Sequence, residues 1–179
     1  MSRCIAFLRA VNVGGRTVKM VALKAQFEAL GLNDVSTFIA SGNVVFETRA
    51  RDMAALEQKI EKQLHGAFGF EVHTFIRSTA ELAAIALCRP FAARALEAAP
   101  TFVVGFMAAP LDAARLKIVN GLNNDLDAFH VQGRELYWMS RQKQSESKFS
   151  NAAFERALGL RATFRGINTL QRIVALHAP

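Results

Sequence analysis

The chain has 179 residues, of which 51% are hydrophobic and 21% are charged. This composition is close to the globular average and excludes an intrinsically disordered chain and a coiled coil. No apolar run reaches the roughly 18 residues of a membrane-spanning helix, and Arg9 interrupts the apolar start, so we expect no membrane span and no signal peptide. The length predicts one compact body or two subdomains of roughly 90 residues each.

The net charge of +7 is concentrated in the last third of the chain, where eight basic and three acidic residues lie between Arg134 and Arg172. Such a region raises the local concentration of anionic partners, including nucleic acids and phosphorylated small molecules. The alternative is a basic surface that binds no polynucleotide. Because 14 Phe stand against one Tyr and one Trp, we interpret the aromatic residues as core filling and rank nucleic acid below a small anion as the partner.

Cys4 and Cys88 lie in apolar stretches without a catalytic or metal-binding motif. Two such cysteines favour a reducing compartment, so we expect a cytoplasmic protein with two buried, unpaired thiols. The four histidines have no spacing typical of zinc, and no Walker A, G-x-G-x-x-G or G-x-S-x-G motif occurs. We therefore expect no metal and no cofactor. The sequence identifies no nucleophile or general base, which leaves open whether the protein is an enzyme.

The first half of the chain has the order strand, helix, strand, strand, helix, strand. The predicted elements are a strand at 4–8, a helix at 20–30 ended by Gly31, hairpin strands at 35–39 and 44–46, a helix at 53–68 and a strand at 72–76. This order is the split βαβ pattern of a ferredoxin-like unit. A capping box from Ser78 to Glu81 then predicts a short helix that ends near Cys88.

The second half repeats this order after an Ala-rich connection at 91–99. Its predicted elements are a strand at 101–107, a helix opened by Asp112, hairpin strands at 128–131 and 135–139, a helix at 149–158 with Ser147 as its N-cap and Gly159 as its stop, a strand at 162–164 and a closing helix. We therefore predict an α+β fold of two ferredoxin-like βαββαβ subdomains with mainly antiparallel sheets. The first is residues 1–90 with a trailing helix, and the second is residues 91–179 with a C-terminal helix.

Polar residues at the end of the first predicted strand supply candidate ligand-binding groups. Arg9 closes the strand, and Asn12 and the pair Gly14 and Gly15 follow it. Adjacent glycines let successive backbone N–H groups converge into a small anion nest, and Arg9 would add a guanidinium fork for a phosphate or carboxylate. The alternative is a tight turn in which glycine only satisfies a positive φ.

Three further polar segments complete the candidate site. Ser41 and Asn43 lie in the first hairpin turn and would orient a ligand by hydrogen bonds, or serve only the turn. Lys148 lies at the predicted start of a helix, where a cation is unfavourable unless something negative binds there. Arg165 would add a positive charge near the end of the chain, where Asn168 either contacts the ligand or caps the last helix.

Several of these motifs resemble the family called domain of unknown function 1697. They are residues 9–15 (Arg-Ala-Val-Asn-Val-Gly-Gly), Lys19-Met20, residues 41–46 (Ser-Gly-Asn-Val-Val-Phe), Ser147-Lys148, and Arg165 with Asn168-Thr169. The resemblance therefore extends over essentially the whole chain. It implies a bacterial protein with two α+β subdomains related to the ferredoxin-like fold. The family has no established activity, so the resemblance implies no reaction and no catalytic residue.

The last of these motifs departs from the family. There it usually reads Arg-Asn-Trp-Asn-Thr, whereas here Gly166 and Ile167 replace the Asn and the Trp. If that Trp stacks on a ligand, the site in this chain is weaker.

Three functional hypotheses remain open from the sequence. The first is an uncharacterised cytosolic protein that binds a small anionic or nucleotide-like ligand in a cleft between the subdomains. The second is an RNA-binding module that uses the basic C-terminal third. The third is a structural or oligomer-forming protein without a ligand. The oligomeric state and the identity of any ligand do not follow from the sequence.

Overall fold

The structure, a computed structural model, describes residues 1–15, 17–39 and 42–177. Within these ranges the chain forms eight strands and seven helices, arranged as two successive βαββαβ repeats, each followed by a helix, with one further short helix between the repeats. Their bounds are β1 Ser2–Leu8, α1 Met20–Ala29, β2 Asn33–Phe38, β3 Asn43–Thr48, α2 Met53–Phe68, β4 Thr74–Ser78, α3 Thr79–Leu87, α4 Ala93–Ala98, β5 Thr101–Met107, α5 Ala113–Asn120, β6 Asp127–Gln132, β7 Glu135–Ser140, α6 Asn151–Leu158, β8 Ala162–Gly166 and α7 Ile167–His177.

The first sheet has the strand order β2-β3-β1-β4, with every neighbouring pair antiparallel. This order arises because the connection through α1 carries the chain from β1 past β3 to β2, and the connection through α2 carries it from β3 past β1 to β4. Cys4, Ala6 and Leu8 alternate along β1 and share a buried apolar cluster with Phe27 of α1 and Ile60 of α2. The ferredoxin-like α+β prediction is confirmed for this half.

The second sheet repeats the topology with the order β6-β7-β5-β8, again antiparallel throughout. Its core is aromatic. Trp138 and Phe149 have ring centroids 4.5 Å apart, and Phe154 and Phe164 meet edge to face at 5.6 Å. Phenylalanine therefore fills the core of this half, and two similar α+β units in one chain are confirmed.

Two compact units divide the chain. One comprises Met1–Leu82 together with His177, and the other comprises Ala83–Leu176, so the division falls inside α3. The sequence places the division after residue 90 instead, in an Ala-rich connection that here contains the six-residue helix α4. Among the described residues, no helix is long and apolar enough to cross a membrane.

Local capping signals explain several of the helix boundaries. Ser78 and Glu81 form the predicted capping box, in which the Glu81 N–H donates to Ser78 Oγ at 3.2 Å and the Ser78 N–H donates to Glu81 Oε2 at 2.7 Å. Gly31 and Gly159 have φ of +77° and +62° just after α1 and α6, as expected for residues that end a helix.

Three sequence-based predictions are wrong in detail. The N-cap of α6 is Ser150, whose Oγ accepts the Ala153 N–H at 3.1 Å, whereas Ser147 accepts only the Phe149 N–H in a local turn. Strand β4 begins at residue 74, two residues later than predicted. Cys88 is partly exposed rather than buried, while Cys4 is buried as predicted; both are unpaired thiols.

Candidate functional site

Two of the motif segments meet at one edge of the first sheet, where β1 ends and β3 begins. Phe7 pairs with Asn43, and the Leu8 N–H donates to the Gly42 carbonyl at 2.8 Å. A Cβ on Gly42 would lie 3.1 Å from the Leu8 Cβ and 3.2 Å from Val11 Cγ2. The structure therefore brings the loop between β1 and α1 (residues 9–19, described except for Arg16, and called the β1–α1 loop below) into contact with the start of β3. The candidate Ser41 lies outside the described residues.

Left-handed backbone conformations are concentrated in these two segments. In the β1–α1 loop, φ is +60° at Ala10, +62° at Gly14 and +82° at Gly15; in the hairpin it is +50° at Ile39 and +74° at Gly42. Glycine adopts such values freely, but for a β-branched residue such as Ile39 they are a genuine outlier. Backbone strain of this kind is concentrated at functional sites in proteins, which makes the edge a candidate site.

Hydrogen bonds hold the β1–α1 loop in place. The Arg9 N–H donates to the His73 carbonyl at 2.8 Å, and Asn12 Oδ1 accepts the Val18 N–H at 2.7 Å. Arg9 and Asn12 are partly buried. Asn12 therefore shapes the loop, and Arg9 is fixed where β1 leaves the sheet.

Lys19 is a cationic residue at this edge that the sequence-based site omits. It is exposed and is the N-cap residue of α1, whose first turn contains no acidic residue. The positive end of the helix dipole disfavours a cation at this position. Two signals in the sequence pointed to Lys19, its place at a helix start and the Lys19-Met20 motif of the family resemblance, but sequence reasoning applied the helix-start argument to Lys148 alone.

Asn43 is fully buried, with 0% of its surface exposed. Its Nδ2 donates to the Phe38 carbonyl at 3.1 Å, which ties the start of β3 to the end of β2. This bond accounts for an Asn in the Ser-Gly-Asn turn, and a role for Asn43 in ligand binding stays a prediction.

The other three candidates belong to the second unit. Strands β7 and β8 both end beside the start of β5, because Ser140 pairs with Thr101 and Gly166 with Val103. The loop that carries Lys148 therefore leaves the second sheet at the edge where Arg165 and Asn168 lie. Lys148 and Asn168 are exposed, and Asn168 lies in the first turn of α7. Whether the three bind one ligand stays a prediction.

Arg165 is held against its own strand. Its Nη1 donates to Thr163 Oγ1 at 2.9 Å and to the Phe164 carbonyl at 2.8 Å, and burial lowers the pKa of the guanidinium to about 10. Arg77 occupies the equivalent position of β4, with 1% of its surface exposed, and its Nη1 donates to the Ile76 carbonyl at 2.8 Å. The repeat of this arginine in both units, which sequence reasoning missed, shows that the position has a structural role in each edge strand.

The described residues offer few groups for covalent or metal chemistry. Burial raises the pKa of the Cys4 thiol to about 11, with a smaller contribution from the charge of Glu81, which makes Cys4 a poor nucleophile. Cys88 Sγ donates to Gln132 Oε1 at 3.3 Å. Among the described residues, no three His, Cys, Asp or Glu side chains are placed to hold a metal ion.

Comparison with known proteins supports the fold. The chain is similar to the conserved bacterial protein SP0830 from Streptococcus pneumoniae, with 23% sequence identity and a TM-score of 0.76 over 98% of each chain. At this identity the likeness shows the fold and no more. None of the curated proteins matches the chain in sequence.

The sequence profile of the family described as "Protein of unknown function (DUF1697)" matches residues 1–137. The match includes the β1–α1 loop and the start of β3, whereas Lys148, Arg165 and Asn168 lie beyond it. Because it extends over well more than half of the 179 residues, the chain belongs to the family of proteins of unknown function DUF1697.

Proposed function

We propose that the protein binds a small anionic ligand, of phosphate or nucleotide type, at the β1–α1 loop of the first unit. The observation that carries the proposal is the pair Gly14 and Gly15. Both residues are exposed and left-handed, and a Cβ on either would meet no atom within 4 Å. Glycine is therefore required here for its backbone conformation and not for close packing. Backbone in such conformations can turn successive N–H groups toward one anion.

The charges around the loop support an anion rather than a neutral ligand. Arg9 lies at the start of the loop and Lys19 at its end, where α1 begins. The first N–H groups of a helix have no acceptor within the helix and carry a partial positive charge. A bound anion would remove the repulsion between Lys19 and the helix dipole, and Arg9 could hold a phosphate or carboxylate through two parallel hydrogen bonds.

The adjoining hairpin gives a second line of support. Ile39 has a left-handed φ of +50° although its side chain is β-branched, and 43% of its surface is exposed. Strain of this kind persists only where the surrounding structure enforces it, and it costs about 1–3 kcal/mol per residue. Gly42 holds this hairpin against Leu8 and Val11, so the strained segment lies next to the base of the loop.

The proposal concerns binding and assigns no reaction. It rests on the first unit alone, whose loop lies within the part of the chain that the family profile matches. Lys148, Arg165 and Asn168 belong to the second unit, and the proposal does not use them.

A thermal-shift titration with inorganic phosphate, sulfate, adenine and guanine nucleotides, and a short single-stranded RNA tests the proposal. A ligand at a hundred times its Kd adds about 2.7 kcal/mol to the free energy of unfolding. We expect Gly14→Ala and Gly15→Ala to abolish the shift. Gly31→Ala is the matched control, because Gly31 has a φ of +77° and equally open surroundings but lies after α1, outside the loop. A shift that survives both loop substitutions, or that depends on Lys148 and Arg165 instead, overturns the proposal.

A further inference from the structure

The first unit contains a recess of about 320 Å³ that the anion proposal does not use. One wall is a single face of α2, with Gln58, Glu61, Lys62 and His65 at intervals of three or four residues. The opposite wall is the segment 71–73, which leads into β4. The volume lies at the lower end of the range for small-molecule sites, which is about 300–1,000 Å³.

Each wall of the recess presents one carboxylate and one imidazole. Glu61 and His65 lie on α2, and Glu71 and His73 lie on the opposite segment. Within the described ranges, no three of these groups are placed to hold a metal ion together. The recess therefore suits an organic molecule that is large enough to contact both walls.

Much of the hydrogen-bonding capacity of these side chains is not used by the protein. Glu61 Oε1 accepts the Thr74 N–H at 2.8 Å and lies 3.8 Å from His73 Nδ1, which fixes the carboxylate. Within the described part of the chain, Glu61 Oε2 has no protein partner, and Lys62 and Glu71 make no hydrogen bond or ion pair. The recess thus offers a fixed carboxylate oxygen, a second carboxylate and an ammonium group to a ligand.

We propose that this recess binds a small zwitterion of the α-amino-acid class. The ammonium group of the ligand lies between Glu61 and Glu71. The carboxylate of the ligand pairs with Lys62. Val72 also lines the recess, but only 2% of its surface is exposed, so the apolar contact it offers the ligand is small. A ligand with only one charge leaves either the two glutamates or Lys62 unmatched, which disfavours it.

The first test is a thermal-shift panel of the common L-amino acids. The amino acid that stabilises the protein most is then titrated by NMR while the His65 and His73 resonances are observed. The same titration is repeated with the amine that lacks its carboxylate and with the acid that lacks its amino group. Lys62→Gln and Glu71→Gln each remove one charge without breaking a described contact. Lys59→Gln, an exposed residue of α2 outside the recess, is the matched control.

We expect one or more amino acids to bind the wild type and Lys59→Gln equally, and to bind Lys62→Gln and Glu71→Gln about tenfold more weakly or worse. The amine and the acid should each bind more weakly than the amino acid. If no amino acid moves the melting temperature or the two histidine resonances, the proposal is overturned. If the amine or the acid alone binds as well as the amino acid, the recess is a single-charge site and the proposal is also overturned. Neither result bears on the β1–α1 loop, whose residues do not line the recess.

Discussion

Glu57 of α2 accepts the backbone N–H of Ile76 on β4, with Oε1 2.7 Å from the nitrogen. Because β4 is an edge strand, alternate N–H groups point away from the sheet and have no neighbouring strand to bind. Side-chain carboxylates accept these outward N–H groups at three alternate residues of β4. The acceptors are Glu61 for the Thr74 N–H at 2.8 Å, Glu57 for the Ile76 N–H at 2.7 Å and Glu81 for the Ser78 N–H at 2.7 Å.

The second unit also satisfies its edge strand with a glutamate of a helix. Glu155 of α6 is buried, with 4% of its surface exposed, and accepts the Ala162 N–H of edge strand β8 at 2.9 Å. Glu57 and Glu155 both lie five residues after the N-cap of their helices, Asp52 and Ser150. A buried glutamate on the second helix of each βαββαβ repeat is therefore a repeated structural feature that satisfies an edge strand.

We predict that Glu57→Leu destabilises the protein and that Glu57→Gln does so much less. The leucine leaves the buried Ile76 N–H without an acceptor, at a cost of about 1–3 kcal/mol, whereas the glutamine keeps an oxygen in the same place. Urea denaturation at neutral pH measures both free energies of unfolding. Equal losses for the two variants would show that the charge, and not the hydrogen bond to Ile76, accounts for the stability.

Gly105 of central strand β5 faces the ring of Phe164, and a Cβ built there lies 2.6 Å from the ring Cε1 atom. Phe164 cannot move aside easily, because Phe149 and Phe154 pack against it. We expect Gly105→Ala to cost about 1–3 kcal/mol through overpacking. Gly66→Ala serves as control: Gly66 lies within α2 in open surroundings, so alanine there should stabilise by about 1 kcal/mol. Thermal unfolding of the two variants checks the sign of each effect, and a neutral Gly105→Ala would contradict the packing argument.

The two thiols should differ in reactivity. Cys4 is buried and its pKa is raised to about 11, whereas Cys88 is partly exposed. Because the thiolate is the reacting species, a thiol-specific chromogenic reagent at pH 8 should modify Cys88 in the native protein and Cys4 only after denaturant is added. Cys88→Ala should remove the native phase and leave the second thiol unreactive until unfolding. Rapid modification of Cys4 in the native Cys88→Ala variant would contradict its burial.

Stability should fall at alkaline pH because of Cys4. Its folded-state pKa is about 11 against the ordinary 9.0, so between these values the unfolded thiol ionises while the folded thiol stays protonated. The unfolded state then binds fewer protons, and the free energy of unfolding falls by up to about 1.4 kcal/mol per pH unit. Urea denaturation between pH 8 and pH 11, compared with Cys4→Ala, should show a shallower decline for the variant, while Cys88→Ala retains the slope. Parallel declines for the wild type and Cys4→Ala would refute this assignment.

The fold follows from the sequence where the signals are local. The capping box of Ser78 and Glu81 and the helix-ending glycines Gly31 and Gly159 each depend on neighbours within a few residues, and each is confirmed. The start of α6 is ambiguous, because both Ser147 and Ser150 can cap a helix. The helix begins after Ser150, while Phe149 packs its ring against Trp138, a contact that lies outside any local pattern.

The candidate site is harder to derive because its groups meet through pairing between distant segments. The contact of Leu8 with Gly42 depends on the register of β1 and β3, and Glu57 looks like an ordinary surface residue of an amphipathic helix until Ile76 is placed beside it. In the Ser-Gly-Asn segment, the sequence instead suggests a binding group where the structure shows a structural contact. The sequence marks Asn43 as polar and available, whereas the structure uses its amide to close the hairpin at Phe38.

The most direct test of the central claim is an NMR titration of the ¹⁵N-labelled protein with inorganic phosphate, in which the backbone amides of Gly14 and Gly15 are observed. If the β1–α1 loop binds anions, these two resonances should shift and saturate together with those of Met20 and Val21 at the start of α1, and Gly31 should stay in place. Saturating shifts confined to other residues, with Gly14 and Gly15 unmoved, would contradict the account.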